Sequence, residues 1–166
     1  MPAPHVQTGK SKSAREQNAI ALLKADHDEA KDIFAQFEKA RSANKKLELA
    51  TKVCAALRVH MQIEEEIFYP AFLEATGDED LNNEAIVEHD GAKKLIEEIE
   101  GIGPDDEMFD AKVHVLGEMI EHHIKEEEKP GDGMFAEARK SKLDLDELGA
   151  RLKARKEELM AEMTEH

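Results

Sequence analysis

The chain has 166 residues and a formal net charge of −15, from 38 acidic and 23 basic side chains. So acidic a chain disfavours nucleic acid and anionic membranes as partners, and the single cysteine, Cys54, excludes an intramolecular disulfide framework. The length suits one domain with a substantial core, and a helix-forming composition with few aromatic residues predicts an all-α fold.

The first segment, residues 1–15, is polar and basic and lacks the apolar middle of a secretory signal. We interpret it as a disordered leader. No stretch of the sequence approaches the ~20 apolar residues of a membrane span, so a cytoplasmic location is expected. Residues 16–135 are predicted to form the main bundle, and residues 136–166 a helical extension that packs on it.

Four helices are predicted from apolar residues that recur every three or four positions, the spacing of a helix face buried in a bundle. They cover about residues 18–41, 45–70, 79–100 and 106–129. Pro70 lacks a backbone donor and is expected to end or kink the second helix. Two helical pieces follow, over 134–140 and from Asp144 to about Met163, with Asp144 as an N-cap. This order predicts an up-down-up-down four-helix bundle with an additional C-terminal helical segment.

Each of the four helices carries a histidine in its apolar seam, where a hydrophobic residue is expected. These are His27, His60, His89 and His123. Glu64 and Glu127 follow the second and fourth of them by four residues, a spacing that keeps both side chains on one helix face. Buried imidazoles and carboxylates need compensation, and a metal shared between bundle helices is the usual one. We expect antiparallel packing to bring the six side chains to one height.

Six such side chains exceed the four ligands of a structural zinc site. They suit two first-row metal ions with the glutamates bridging, and the mixture of imidazole and carboxylate favours iron, with manganese or zinc as alternatives. Four histidines and two bridging glutamates fill about eight of the twelve positions around two octahedral ions. The remaining positions are open to water, oxide or a small external ligand.

The ordered set is His27, His60-Met-Gln-Ile-Glu64, His89 and His123-Ile-Lys-Glu-Glu127. It resembles the hemerythrin-like HHE cation-binding domains, and the resemblance runs from Ile20 to about Phe135. The resemblance implies a four-helix bundle around a non-haem di-iron centre, oxo- or hydroxo-bridged, that uses those six residues. It also implies that Glu64 and Glu127 are the bridging carboxylates.

The chain departs from the oxygen-carrying hemerythrins at two points. Lys93 stands four residues after His89, where those proteins have a second histidine. Those proteins also place a carboxylate five residues after the helix-4 histidine, a spacing that here joins His122 to Glu127, whereas the apolar seam favours His123. One histidine fewer opens a coordination position and shifts the expectation from reversible oxygen carriage to sensing or redox chemistry.

Three functions are consistent with the sequence. The first is a di-iron protein, monomeric or weakly homo-oligomeric, that binds dioxygen, nitric oxide or hydrogen peroxide for sensing, scavenging or stress response. The second is a di-iron enzyme with catalase-like, peroxidase-like or iron-oxidising activity, assisted by Glu65 or Lys93. The third is a metal-free structural bundle in which the histidines are pH-sensitive polar groups.

Residues next to the six candidate ligands are interpreted as ordinary surface or core. Glu65, Glu66, Glu126 and Glu128 are assigned to solvated helix faces, although an acid so placed can orient a ligand imidazole. Tyr69 is assigned to packing, with a role as metal ligand or radical left open.

Overall fold

The computed structural model describes residues 18–164, and the regular elements within that range are all helices, as predicted. The predicted leader, residues 1–15, lies outside the described residues. The elements are α1 (Ala19–Lys39), α2 (Ala43–Ile63), a π-helical turn (Glu64–Phe68), α3 (Tyr69–Thr76), α4 (Glu79–Glu100), α5 (Phe109–Glu128), α6 (Met134–Lys140) and α7 (Leu145–Thr164).

Helices α1, α2, α4 and α5 form the four-helix bundle, and each packs against two of the others in a closed square. The short helix α6 lies against α5 and α3, and the C-terminal helix α7 lies against α1, α2 and the π-helical turn. None of the helices within residues 18–164 is long and apolar enough to cross a membrane.

Polar side chains fix where four of the helices begin. Asn18, Ser42, Asp78 and Asp144 each accept a hydrogen bond from the backbone N–H three residues further on. The N-cap predicted at Asp144 is therefore confirmed. Each cap satisfies a helix N–H that would otherwise lack a partner.

The fourth helix of the bundle begins at Phe109, so the sequence-based start near Asp106 is wrong by three residues. The carboxylate of Asp106 accepts a hydrogen bond from the backbone N–H of Met108 at 2.8 Å. This side-chain bond stabilises a turn in place of the first helical residues, since a short acidic side chain competes with helix formation in this way.

Pro70 does not end the helical path: the regular α2 ends seven residues earlier, at Ile63, and the chain continues helically past the proline. The backbone N–H of Tyr69 donates to the carbonyl of Glu64, which closes a wide π-helical turn. Pro70 then lies in the first turn of α3, where a helix does not use the missing N–H. This helix ends at Gly77, whose φ of 70° is in the left-handed region that favours glycine.

Two apolar clusters fill the core, and a band of buried polar side chains separates them. On α1, Leu23 belongs to one cluster and Ala30 to the other, with His27 between them in the sequence. Helix α4 repeats this arrangement around His89. The polar band therefore lies inside the bundle, with hydrophobic packing on both sides.

Candidate metal centre

All six residues predicted from the sequence meet in this polar band, and all six are buried. They are His27, His60, Glu64, His89, His123 and Glu127. Each bundle helix contributes through its interior face, because each residue occupies a seam position of its own helix. The neighbouring His122 is 66% exposed, so the structure places His123 in the cluster, as the apolar seam predicts.

Four of these residues form a first group of ligand atoms within the band. His27, His60, Glu64 and Glu127 each offer a ligand atom, and the four atoms lie within 4.8 Å of one another. None of these atoms has a hydrogen-bond partner among residues 18–164. Leaving a buried polar atom unsatisfied costs about 1–3 kcal/mol. A cation bound by two imidazole nitrogens and two carboxylate oxygens would satisfy all four atoms at once.

A second group shares Glu64 with the first. Ligand atoms of Glu64, His89 and His123 lie within 4.8 Å of one another. The hydroxyl of Tyr69 stands among them, 3.1 Å from Nε2 of His89 and 3.3 Å from Nε2 of His123. This hydroxyl donates to Oε2 of Glu127 at 2.6 Å. Burial raises the pKa of Tyr69 well above its usual value, and the carboxylates of Glu127 and Glu64 raise it further.

Each glutamate divides its two oxygens between the groups. In Glu64, Oε2 is 3.3 Å from Nε2 of His60 and Oε1 is 3.0 Å from Nε2 of His89. In Glu127, Oε1 is 3.2 Å from Nε2 of His27 and Oε2 is 3.1 Å from Nε2 of His123. A carboxylate that faces one imidazole with each oxygen has the arrangement needed to bridge two metal ions.

The π-helical turn explains how Tyr69 reaches the cluster. In a regular α-helix, residues five apart point about 140° away from each other. The wider π turn reduces this angle, so Glu64 and Tyr69 share one face, and the hydroxyl lies 3.1 Å from Oε1 of Glu64. Such π turns are often found at functional sites. The periodicity of an α-helix carries no signal for this residue.

A carboxylate from a neighbouring helix holds Nδ1 of every imidazole in the cluster. The pairs are Asp26 with His60 (2.8 Å), Glu65 with His89 (2.7 Å), Glu88 with His123 (2.5 Å) and Glu128 with His27 (2.7 Å). In this way α1 supports α2, the π turn supports α4, α4 supports α5, and α5 supports α1. An acid on Nδ1 directs Nε2 towards the cluster and fixes the ring orientation, as is usual for metal-binding histidines.

Two lysines neutralise two of these acids. The ammonium group of Lys156, on α7, lies 2.6 Å from Asp26, and that of Lys93 lies 2.7 Å from Glu65. Lys93 follows His89 by four residues, on the same face of α4, and binds a supporting acid at the edge of the centre. The stacking of Phe135, on α6, against the ring of His27 at 5.7 Å covers another side of the centre.

Strong electrostatic coupling characterises the cluster before a metal binds. Burial alone would lower the pKa of His60, but Glu64 and Asp26 outweigh burial and raise it to about 10. Burial and the nearby Glu127 would raise the pKa of Glu64, but the imidazoles outweigh them and lower it to about 2. The shared proton is therefore on His60 and not on Glu64, and a bound cation would replace it.

The sequence model of the hemerythrin HHE cation-binding domain family matches residues 18–130 of this chain. The chain therefore belongs to the hemerythrin HHE cation-binding domain family. The matched range contains all six clustered residues and ends before α6. Family membership and the buried histidine–glutamate cluster together support a metal cofactor.

Known proteins similar to this chain include one solved structure and one curated relative. A hemerythrin HHE cation-binding domain-containing protein from Mycobacterium kansasii, known from a crystal structure, shares the fold with a TM-score of 0.74 and 22% identity, over 87% of this chain and 88% of that one. A DNA nickase from Nostoc sp. is 25% identical over 114 residues, which are 69% of this chain and 32% of the nickase. The chain thus spans about a third of the length of that curated relative.

Proposed function

We propose that this protein is a non-haem di-iron protein that binds dioxygen, nitric oxide or hydrogen peroxide at an open metal position, for sensing, scavenging or stress response. The observation that carries this proposal is the first group of buried ligand atoms, those of His27, His60, Glu64 and Glu127, which lie within 4.8 Å of one another and make no hydrogen bond of regular geometry within residues 18–164. A second group with a shared glutamate lies directly beside it.

We assign the side chains to two ions as follows. His27 and His60 would hold the first ion, and His89 and His123 the second. Glu64 and Glu127 would bridge, because each turns one oxygen to each group. Tyr69 would be a further ligand of the second ion, since its hydroxyl already lies among the atoms of that group.

Iron, when bound, supplies a redox-active Lewis acid with positions open to a small ligand. The protein's own side chains then set the conditions. The ring of acids fixes the imidazoles, and the two apolar clusters keep bulk water away. Position 93 carries a lysine bound to Glu65 in place of a second histidine after His89, so the centre has one imidazole fewer than in the oxygen-carrying hemerythrins. For this reason we favour sensing or redox chemistry over reversible oxygen carriage.

Nicking of DNA is not part of the proposal. The matched region is about a third of the nickase, and a net charge of −15 opposes binding to a polyanion. We therefore propose a small-molecule ligand, no nucleic-acid or membrane partner, and a cytoplasmic protein that is a monomer or weak oligomer.

Anaerobic reconstitution with ferrous iron tests the proposal. We expect two iron ions per chain by metal analysis, and an absorption spectrum of the oxidised protein that changes when azide is added. His89→Ala should lose iron, whereas His114→Ala, at an exposed position on α5, should not. Fewer than one iron per chain would contradict the proposal. Release of oxygen from added hydrogen peroxide, abolished by His89→Ala, would identify an enzyme.

A further inference from the structure

The C-terminal helix α7 carries two charged residues in its apolar seam. Its leucines recur at steps of three, four and seven residues, at Leu145, Leu148, Leu152 and Leu159. The last three of them are buried. The seven-residue step leaves out one seam position, which falls at Arg155 and Lys156. These side chains are only 29% and 32% exposed, so their charges need partners in the body of the protein.

Both residues bind carboxylates in the part of the chain that matches the family. Arg155 uses two nitrogens for Glu66, with Nε 2.8 Å from Oε1 and Nη2 3.4 Å from Oε2. Such a two-point contact fixes the orientation of a carboxylate as well as its position. Lys156 binds Asp26, the acid that holds His60. Helix α7 itself lies beyond residue 130, where the family match ends.

Glu66 is the middle residue of the π-helical turn, Glu64–Phe68. Three successive glutamates of this turn have partners in three directions. Glu64 faces the cluster, and Glu65 binds side chains of α4. Glu66 points the third way, to Arg155 on α7. The turn is thus held from three sides, because successive side chains on a helix diverge by about 100°.

The shape of this turn determines where Tyr69 lies. The hydroxyl of Tyr69 is 3.1 Å from Oε1 of Glu64 and donates to Glu127 at 2.6 Å. A π-helical turn is rare, and the regular α-helix is the competing form of the same backbone. Relaxation to that form would direct Tyr69 about 140° away from Glu64 and out of the cluster. The contact between Arg155 and Glu66 opposes this relaxation.

We propose that Arg155 is a positioning residue of the metal centre, which holds the π-helical turn through Glu66 and so keeps Tyr69 at the cluster. The hydrogen bonds of Arg155 go to Glu66 and to Glu158, so it acts on the cluster through the turn. This inference deepens the proposed function. Its effect on metal binding rests on that function, whereas its effect on Tyr69 does not.

The orientation of Tyr69 can be tested without any metal. The chain has one tyrosine and no tryptophan, so the tyrosine signal in near-ultraviolet circular dichroism comes from Tyr69 alone. In the metal-free full chain, Arg155→Gln should lose most of this signal, because Tyr69 is no longer held in one orientation. Arg151→Gln removes the same charge from an exposed position of α7 and is the matched control, which should keep the signal.

Reversal of the ion pair separates positioning from general stability. Arg155→Glu and Glu66→Arg should each lose the Tyr69 signal, and the double variant, which restores opposite charges, should recover it. Lys156→Gln also removes a cation from α7, but it leaves the turn unchanged and should keep the signal. Glu66→Gln breaks the same contact from an exposed position and gives the test if Arg155→Gln does not fold.

Cobalt binding tests the consequence for the metal centre. Arg155→Gln should bind Co²⁺ about fivefold more weakly than Arg151→Gln, which is the upper range for one partly exposed ion pair. The charge-reversed double variant should recover the affinity. Equal cobalt affinities of Arg155→Gln and Arg151→Gln would overturn the role in metal binding. Absence of cobalt binding by the unaltered protein would contradict the proposed function instead.

The Tyr69 signal decides the proposal whatever metal the protein binds. An equal signal in Arg155→Gln and Arg151→Gln would overturn it. Loss of the signal in Lys156→Gln would overturn it as well, because this would show a general detachment of α7 and not a specific hold by Arg155.

Discussion

Asp26 on α1 holds the imidazole of His60 on α2, with 2.8 Å between Oδ2 and Nδ1. The other oxygen of this carboxylate binds the ammonium group of Lys156 on the C-terminal helix. One acid thus links three helices and decides which nitrogen of the imidazole faces the centre. A carboxylate also binds Nδ1 of each of the other three histidines, so the centre is held by a closed ring of contacts between helices.

Removal of one member of this ring should weaken metal binding without removing a ligand. We expect Asp26→Asn to reduce the affinity for metal about 10- to 100-fold, because His60 loses the charge that orients it. Competition with a coloured chelator measures the affinity. Asp28→Asn is the matched control, since that carboxylate is 78% exposed on the same helix. Equal affinities for the two variants would contradict the role of Asp26.

Tyr69 is the sole tyrosine of the chain, which makes its assignment testable by spectroscopy. If its phenolate binds the second ion, the oxidised iron-loaded protein should show a visible phenolate-to-iron absorption band. Tyr69→Phe should lack this band and retain iron. Persistence of the band in Tyr69→Phe would contradict the assignment.

The same substitution should destabilise the metal-free protein, because Glu127 loses the hydrogen bond that Tyr69 donates at 2.6 Å. A hydrogen bond to a charged group contributes about 1.5–3 kcal/mol to stability, and this contribution would be lost. Urea denaturation of both proteins in the presence of a chelator measures this difference.

The stability of the metal-free protein should be greatest in mildly acidic solution. The pKa of His60 is raised from 6.5 to about 10, so its contribution is complete below pH 6.5 and is lost as the pH rises towards 10. The pKa of Glu64 is lowered from 4.5 to about 2, so its contribution is present above pH 4.5 and is lost as the pH falls towards 2. The maximum should therefore lie between pH 4.5 and 6.5.

Metal-loaded protein should behave differently, because binding replaces the imidazole protons and becomes tighter as the pH rises. The difference in Tm between the loaded and the metal-free protein should widen from pH 6.5 upwards. Calorimetry over this range measures both values. A constant difference would show that no protons are displaced.

The left-handed backbone at Gly77 gives a stability prediction for the fold itself. A side chain at this φ of 70° is strained by about 1–2 kcal/mol, so Gly77→Ala should lower the free energy of unfolding by that amount. Gly103→Ala is the control, because its added Cβ meets no atom within 4 Å and its φ is not positive. Equal unfolding free energies would contradict the requirement for glycine.

The six clustered residues could be predicted because each interrupts an apolar seam with a group that needs a partner. Contacts between side chains of different helices leave no comparable signal in the sequence. Asp26 and Glu88 directly precede clustered histidines, but the pattern of a single helix does not say which imidazole an acid reaches on the next helix. The α-helical periodicity of the sequence favours a packing role for Tyr69. The π turn departs from that periodicity and brings Tyr69 into the cluster, so the sequence pattern misses it.

A crystal structure of the iron-loaded protein, with data collected on both sides of the iron absorption edge, tests the central claim most directly. We predict two anomalous peaks inside the bundle, one bound by His27 and His60 and the other by His89 and His123, with a glutamate oxygen on each. A single peak, or peaks bound by exposed acids while the buried histidines stay unliganded, would contradict the account.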